Sequence, residues 1–200
     1  MDDLDAVLAF PAARDQILPS TAFRATWVVS SLQTLRSRGH YERYVTLLPA
    51  AYHSSVLEAV AGTWLPMDVA HAHYAACNAL ALPLHEELAI GGAVGDRAQG
   101  SILSTAVKAA RGVGVTPWTI FPQFDRLWRR GANGGAAAVF RLGPKEARTE
   151  LVGCELFDIP YFQHAFRGVL FGIVSMFCEK AYVHTMPHRP HAATFRFQWA

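Results

Sequence analysis

The sharpest pattern lies at the end of the chain. Phe195, Phe197 and Trp199 alternate with Thr194, Arg196 and Gln198, and a period of two is that of a strand with one buried face. Two further apolar runs, 136–142 and 147–152, flank Gly143-Pro144-Lys145-Glu146. The turn chemistry between them predicts a hairpin. Phe166, Val169, Leu170, Ile173, Val174, Phe177, Cys178 and Ala181 then recur at helical spacing, which predicts one long helix over 161–182. A strand over 181–185 follows it.

The first half reads as mainly helical. Pro11 and Pro19 break residues 1–20, which are expected to form a loosely attached leader, with a single domain over 21–200. Residues 21–30 alternate in a way that suggests a strand, leading into a helix that stops at Gly39. A short helix over 40–48 ends at Pro49, and a second, from 50, closes at Gly62 in a left-handed cap. Pro66 is placed in the first turn of the next helix, whose inward stripe is His73, Cys77, Leu80, Ala81 and Leu84. The span 84–111 is helical but carries Gly91, Gly92, Gly95 and Gly100. Such glycines weaken a helix by about 1 kcal/mol each relative to Ala, yet they let another backbone come close. Thr116-Pro117 opens a further helix, with Ile120, Phe121, Phe124, Leu127 and Trp128 on its apolar face. The order of elements describes an α+β fold: a helical first half packed on a small antiparallel sheet with one long helix.

Composition narrows the function classes. In 200 residues, 52% are hydrophobic and 17% charged, with a net charge of +2. That suffices for a large core and gives no general basic footprint for nucleic acid. The three cysteines, Cys77, Cys154 and Cys178, lie in apolar sequence without zinc spacing, which suggests a reduced, cytoplasmic protein. The acidic start gives no secretory signal. The most apolar stretch, 168–178, is far shorter than the ~20 residues of a membrane span.

Chemistry-bearing residues are few. His184, His188 and His191 fall within eight positions, and imidazole suits zinc, copper or iron; a solvated polar turn is the competing reading. His73 lies on an inward stripe, as a core histidine, a pocket hydrogen-bond donor or a haem ligand, and helical spacing keeps His71 from sharing a metal with it. Gly91-Gly92-Ala93-Val94-Gly95 lacks both the preceding strand and the Gly-Lys-Ser/Thr ending of a phosphate loop. Arg126, Arg129 and Arg130 form a basic helix end, with Asp125 and Arg129 spaced to pair. No nucleophile motif is present. The aromatic residues are the positive feature. Trp118, Phe121, Phe124 and Trp128, with Phe166, Leu170 and Phe177 from the long helix, are candidate walls of a pocket for a small apolar molecule.

The order of 23–31 leading into 32–39, Leu47-Leu48-Pro49, Trp64-Leu65-Pro66, the Gly92/Gly95 helix, Phe124-x-x-Leu127-Trp128, the Gly143 hairpin, the Gly168 helix and Phe195-x-Phe197-x-Trp199 resembles a family of ~200-residue myxobacterial proteins. That family is itself similar to 4-vinyl-reductase-type ligand-binding domains. The resemblance spans residues 21–199 and implies a helix-flanked antiparallel sheet that binds small apolar molecules, often as a sensory module and commonly as a homodimer. Some members of the wider group hold zinc through cysteines near the final strand; here residues 183–199 contain no cysteine, and His184, His188 and His191 stand there instead. A more distant likeness to haem-based gas sensors lacks their Tyr-x-Ser-x-Arg motif. The expected function is therefore a non-catalytic ligand-binding or sensory domain, with haem or metal binding through histidine, or an interaction scaffold, as the alternatives.

Overall fold

The structure, a computed structural model, describes residues 5–99, 115–187 and 189–200. Five antiparallel strands form the main sheet: β1 (Asp5–Leu8), β4 (Ala136–Gly143), β5 (Glu146–Val152), β6 (Ala181–Met186) and β7 (Ala192–Trp199). Their order across the sheet is β1-β4-β5-β7-β6. β4 and β5 are the expected hairpin, in register from Ala136 opposite Val152 to Arg141 opposite Ala147, with a bulge before Gly143 meets Glu146. The edge strand β1 comes from the segment expected to be a loose leader: Asp5 pairs with Arg141 and Leu8 with Val139.

The period-two pattern decides which face is covered. Ala147, Leu151, Ala193, Phe195 and Phe197 are buried, and Phe195 and Phe197 sit directly opposite Thr149 and Ala147 across the β5–β7 ladder. The opposite face carries ion pairs instead. Glu150 takes Arg14 and Arg148, and Glu146 takes Arg196. Arg14 thus ties the N-terminal segment onto the sheet's polar side.

The helical part comprises α1 (Ala25–Ser37), α2 (Tyr41–Leu47), α3 (His53–Leu57), α4 (Met67–Ala79) and α5 (Leu84–Gln99). Two short strands, β2 (Ala22–Arg24) and β3 (Trp64–Pro66), pair beside it. The strand expected over 21–30 therefore shrinks to β2. Beyond Arg24 the chain turns helical because Ala25, Val28, Leu32 and Leu35 lie on one stripe and are all buried; packing of that stripe outweighs the strand preference of Val28 and Val29. Pro66 ends β3 and caps α4 rather than entering it. Gly62, at φ +90°, is left-handed as expected, but it lies in a turn beyond α3, which already ends at Leu57, and so does not cap the helix.

The stretch 117–128 is three short turns rather than one helix: Pro117–Thr119, Phe121–Gln123 and α6 (Phe124–Trp128). Pro122 cannot donate in a continuing ladder. The long helix, α7 (Pro160–Ser175), ends seven residues before the expected 182, and the chain re-enters the sheet at Ala181.

α7 crosses α5 at close range. A Cβ on Gly91 would collide with the carbonyl oxygen of Ala165, and one on Gly168 with the carbonyl oxygen of Leu88. The helix glycines thus serve as a contact surface between backbones, as their spacing suggested. Gly91 to Gly95 lie within α5, so the glycine run has no loop geometry for phosphate. The expected helix over 84–111 can be followed to Gln99; its remainder lies outside the described residues. No described helix is long and apolar enough to cross a membrane.

Candidate functional site

α6, α7, α1 and the sheet do not close completely on one another. A cavity of about 380 Å³ remains between them, within the range of small-molecule sites. Phe124, Leu127 and Trp128 of α6 form one wall, and Phe166, Val169, Leu170 and Ile173 of α7 face them. Leu151 of β5 contributes from the sheet, and Phe23, Arg24, Thr26 and Trp27 close the side toward the helical half, with Gly62, Arg130 and Gly131 at the remaining edge.

Local sequence sets this geometry. Phe166 touches rings in both halves, with centroid distances of 6.5 Å to Trp27, 6.0 Å to Trp128 and 6.0 Å to Phe195. Trp128 is held by its indole N–H, which donates to the Gly134 carbonyl at 2.8 Å. Gly131 lets the Trp27 indole lie close: a Cβ there would be 3.0 Å from Trp27 Nε1. Arg24 fixes the edge. Its backbone N–H donates to Gly131, its Nη1 to the Gly62 carbonyl and its Nε to the Arg130 carbonyl, while its guanidinium lies 3.9 Å from the Trp64 ring centroid.

The residues read as pocket walls divide. Phe124, Trp128, Phe166 and Leu170 come together around the cavity. Trp118 and Phe121 instead pack against Trp199, at 5.0 and 5.7 Å between ring centroids, behind Phe124 and off the cavity wall. Phe177 lies past the end of α7, buried but not on the cavity wall. Phe23 and Arg24 enter from β2 and were not singled out, and Trp27 was hidden by the strand reading of 21–30. The helical periodicity of 25–37 was the signal that would have placed Trp27 on a helix.

The histidines lie elsewhere. His73 is fully buried, with Tyr44 Oη 2.7 Å from Nδ1 and Ser31 Oγ 3.1 Å from Nε2. Both ring nitrogens are occupied, and burial holds its pKa down at about 3, so it is a neutral core group. His71 is exposed on the other side of α4, as the helical spacing required. His184 is exposed on β6, and His191 is exposed with its Nδ1 2.6 Å from Asp158. His188 lies outside the described residues. Among the described residues no three His, Cys, Asp or Glu side chains converge on a metal position. The strand alternation of β6 and the turn after it separate His184 from His191. At the basic helix end, Arg129 Nε pairs with Asp125 at 2.6 Å, as its spacing indicated.

Neither a protein-family model nor a curated protein matches this sequence. Solved structures do share its fold, and they are H-NOX domains. A single-site variant of the H-NOX protein of T. tengcongensis superposes with a TM-score of 0.54 at 12% identity, covering 88% of this chain and 97% of that one. A Cs H-NOX variant bearing a cyano-phenylalanine gives 0.53 at 12% identity over 88% and 96%. A structure concerned with haem redox potential and porphyrin distortion gives 0.54 at 11% identity over 88% and 99%. These likenesses establish the fold. They correct the resemblance to the myxobacterial family and to 4-vinyl-reductase-type domains: similar aromatic punctuation had stood in for topology, and the topology matches H-NOX.

Proposed function

We propose that this chain is a non-catalytic domain that binds a small apolar molecule in the cavity between α1, α6, α7 and the sheet. One observation carries the reading: a void of about 380 Å³ walled almost wholly by aromatic and aliphatic side chains. A well-packed interior leaves few voids larger than a water molecule. The cavity also lies where the helical half meets the sheet, so a bound molecule touches both parts at once. That is the arrangement a sensory domain needs to convert occupancy into a change of packing.

The H-NOX-like fold supplies a second reading, haem, because the structural neighbours are described in terms of haem and porphyrin distortion. The residues present do not fit it. Haem iron is held by a His, Cys, Met or Tyr donor, and among the described residues no such donor lines the cavity. Residues 100–114, outside the described parts, contain none of the four either. His73 has both nitrogens engaged.

Titration of the full chain with the neutral fluorescent probe N-phenyl-1-naphthylamine tests the first reading. One saturable site per chain is expected, and the absence of saturable binding overturns it. Titration with hemin tests the second. No sharp Soret band of ligated iron is expected, whereas a stoichiometric one would establish the haem reading.

A further inference from the structure

The polar groups left uncommitted at the cavity are all donors or cations. Among the described residues the lining includes two arginines, Arg24 and Arg130, and no acidic residue. Among the described residues neither arginine pairs with a carboxylate. The carbonyls of Gly62, Arg130 and Gly131 each already accept a hydrogen bond from Arg24. Thr26 Oγ1 accepts from the Gly62 N–H at 3.0 Å, which leaves its hydroxyl free to donate. Trp27 Nε1, beside Gly131, has no acceptor among the described residues, in contrast to Trp118 and Trp128, whose indoles are engaged. The edge therefore offers positive charge and N–H and O–H donors around an otherwise apolar space.

We propose that the ligand is an anionic amphiphile: an apolar body in the aromatic cavity and a single carboxylate or phosphate head at the edge formed by Arg24, Thr26, Trp27 and Arg130. Arg24 is fixed by its bonds to the backbone and supplies charge. Arg130, at the exposed end of α6, is free to close on the head with its forked guanidinium, a geometry matched to both oxyanions. A neutral molecule would leave these donors to water, and a cationic head would meet two like charges. The inference rests on the cavity reading above and adds the chemistry of the head.

Fluorescence titration with cis-parinaric acid and with its methyl ester separates the two. The acid is expected to bind at least about tenfold more tightly than the ester, the scale of one charge-assisted hydrogen-bonded contact. Raising the salt concentration is expected to weaken the acid and leave the ester unchanged. Arg130→Gln, a change at an exposed position, should bring the acid to within about threefold of the ester without affecting the ester. Competition by dodecanoate against dodecyl phosphate identifies which oxyanion is preferred, with dodecanol as the weak neutral control. Equal binding of acid and ester by the wild-type chain overturns the head-group inference while the cavity reading stands. An Arg130→Gln change that weakens both equally overturns it as well. Failure of both probes to bind overturns both readings.

Discussion

Burial takes His73 out of water and holds its imidazole neutral, with a pKa of about 3 against 6.5 when exposed. The folded pKa lies below the unfolded one. Between the two, the unfolded chain therefore takes up a proton that the folded chain does not. The contribution is complete above pH 6.5 and is lost as pH falls toward 3. It amounts to on the order of 5 kcal/mol, at about 1.4 kcal/mol per pH unit. His73→Gln keeps a donor and an acceptor near Tyr44 and Ser31 but removes the titration. Its stability at pH 7 should fall by about 1–3 kcal/mol, and urea midpoints should show a flatter dependence between pH 6.5 and 4 than the wild type. Unchanged slopes would mean that His73 does not titrate there. The thiols follow the same physics. Burial pushes Cys154 up to about 12 and Cys77 higher still, so both should resist alkylation at pH 8 until the chain is unfolded. At this scale the sequence was legible where a residue's face followed from its period: His73 inward, His71 outward, Phe195 and Phe197 on the covered side of the sheet. It was not legible where a wall is built from several elements. Trp118 and Phe124 lie in one short stretch, yet Pro122 breaks its helical ladder, and only Phe124 reaches the cavity while Trp118 packs on Trp199.

The crossing of α5 and α7 depends on missing side chains. Gly91 and Gly168 each face the other helix's backbone carbonyl, whereas a Cβ on Gly92 would have only the Gly168 carbonyl oxygen at 3.9 Å. Gly91→Ala and Gly168→Ala should each destabilise the fold by at least about 1–3 kcal/mol, the cost of overpacking a close contact. Gly92→Ala, in the same helix, should be neutral or gain up to about 1 kcal/mol from helix propensity. Thermal unfolding of the three variants checks this, and equal effects would contradict the crossing. The elements themselves were read with uneven success for physical reasons. The β4–β5 hairpin and β7 carry local signals, turn chemistry and strict alternation, and both appear in the expected places. β1 carries none. Four residues gain their strand conformation only from pairing with β4, a long-range contact that no local pattern announces. In α1 a local strand preference was overruled by the buried stripe Ala25, Val28, Leu32 and Leu35. Because that helix supplies Trp27, the misreading of one element concealed one side of the cavity.

The molecule as a whole places a sheet with a polar outer face beneath α7, a helical half against α7, and an apolar cavity where they meet. A ligand that binds only the folded chain stabilises it by about 2.7 kcal/mol at a hundred times its dissociation constant. For a domain of this size that raises the midpoint of thermal unfolding by about 5–10 °C. cis-Parinaric acid should produce this shift in the wild type and a smaller one in Arg130→Gln. Topology at this scale was not visible in the sequence: the aromatic spacing suggested one family, and the superposition shows an H-NOX-like fold at 12% identity. Such a distance preserves the arrangement of elements while replacing the residues inside it. What occupies the cavity must therefore be argued from its own wall. The central claim is that the binding site is this cavity, and the most direct test is probe titration of chains in which it is filled. Thr26→Trp and Ile173→Trp each project a large ring into the space between α1 and α7. Variants that retain the wild-type circular dichroism spectrum should lose saturable binding of N-phenyl-1-naphthylamine, whereas undiminished binding by a folded, cavity-filled chain would contradict the account.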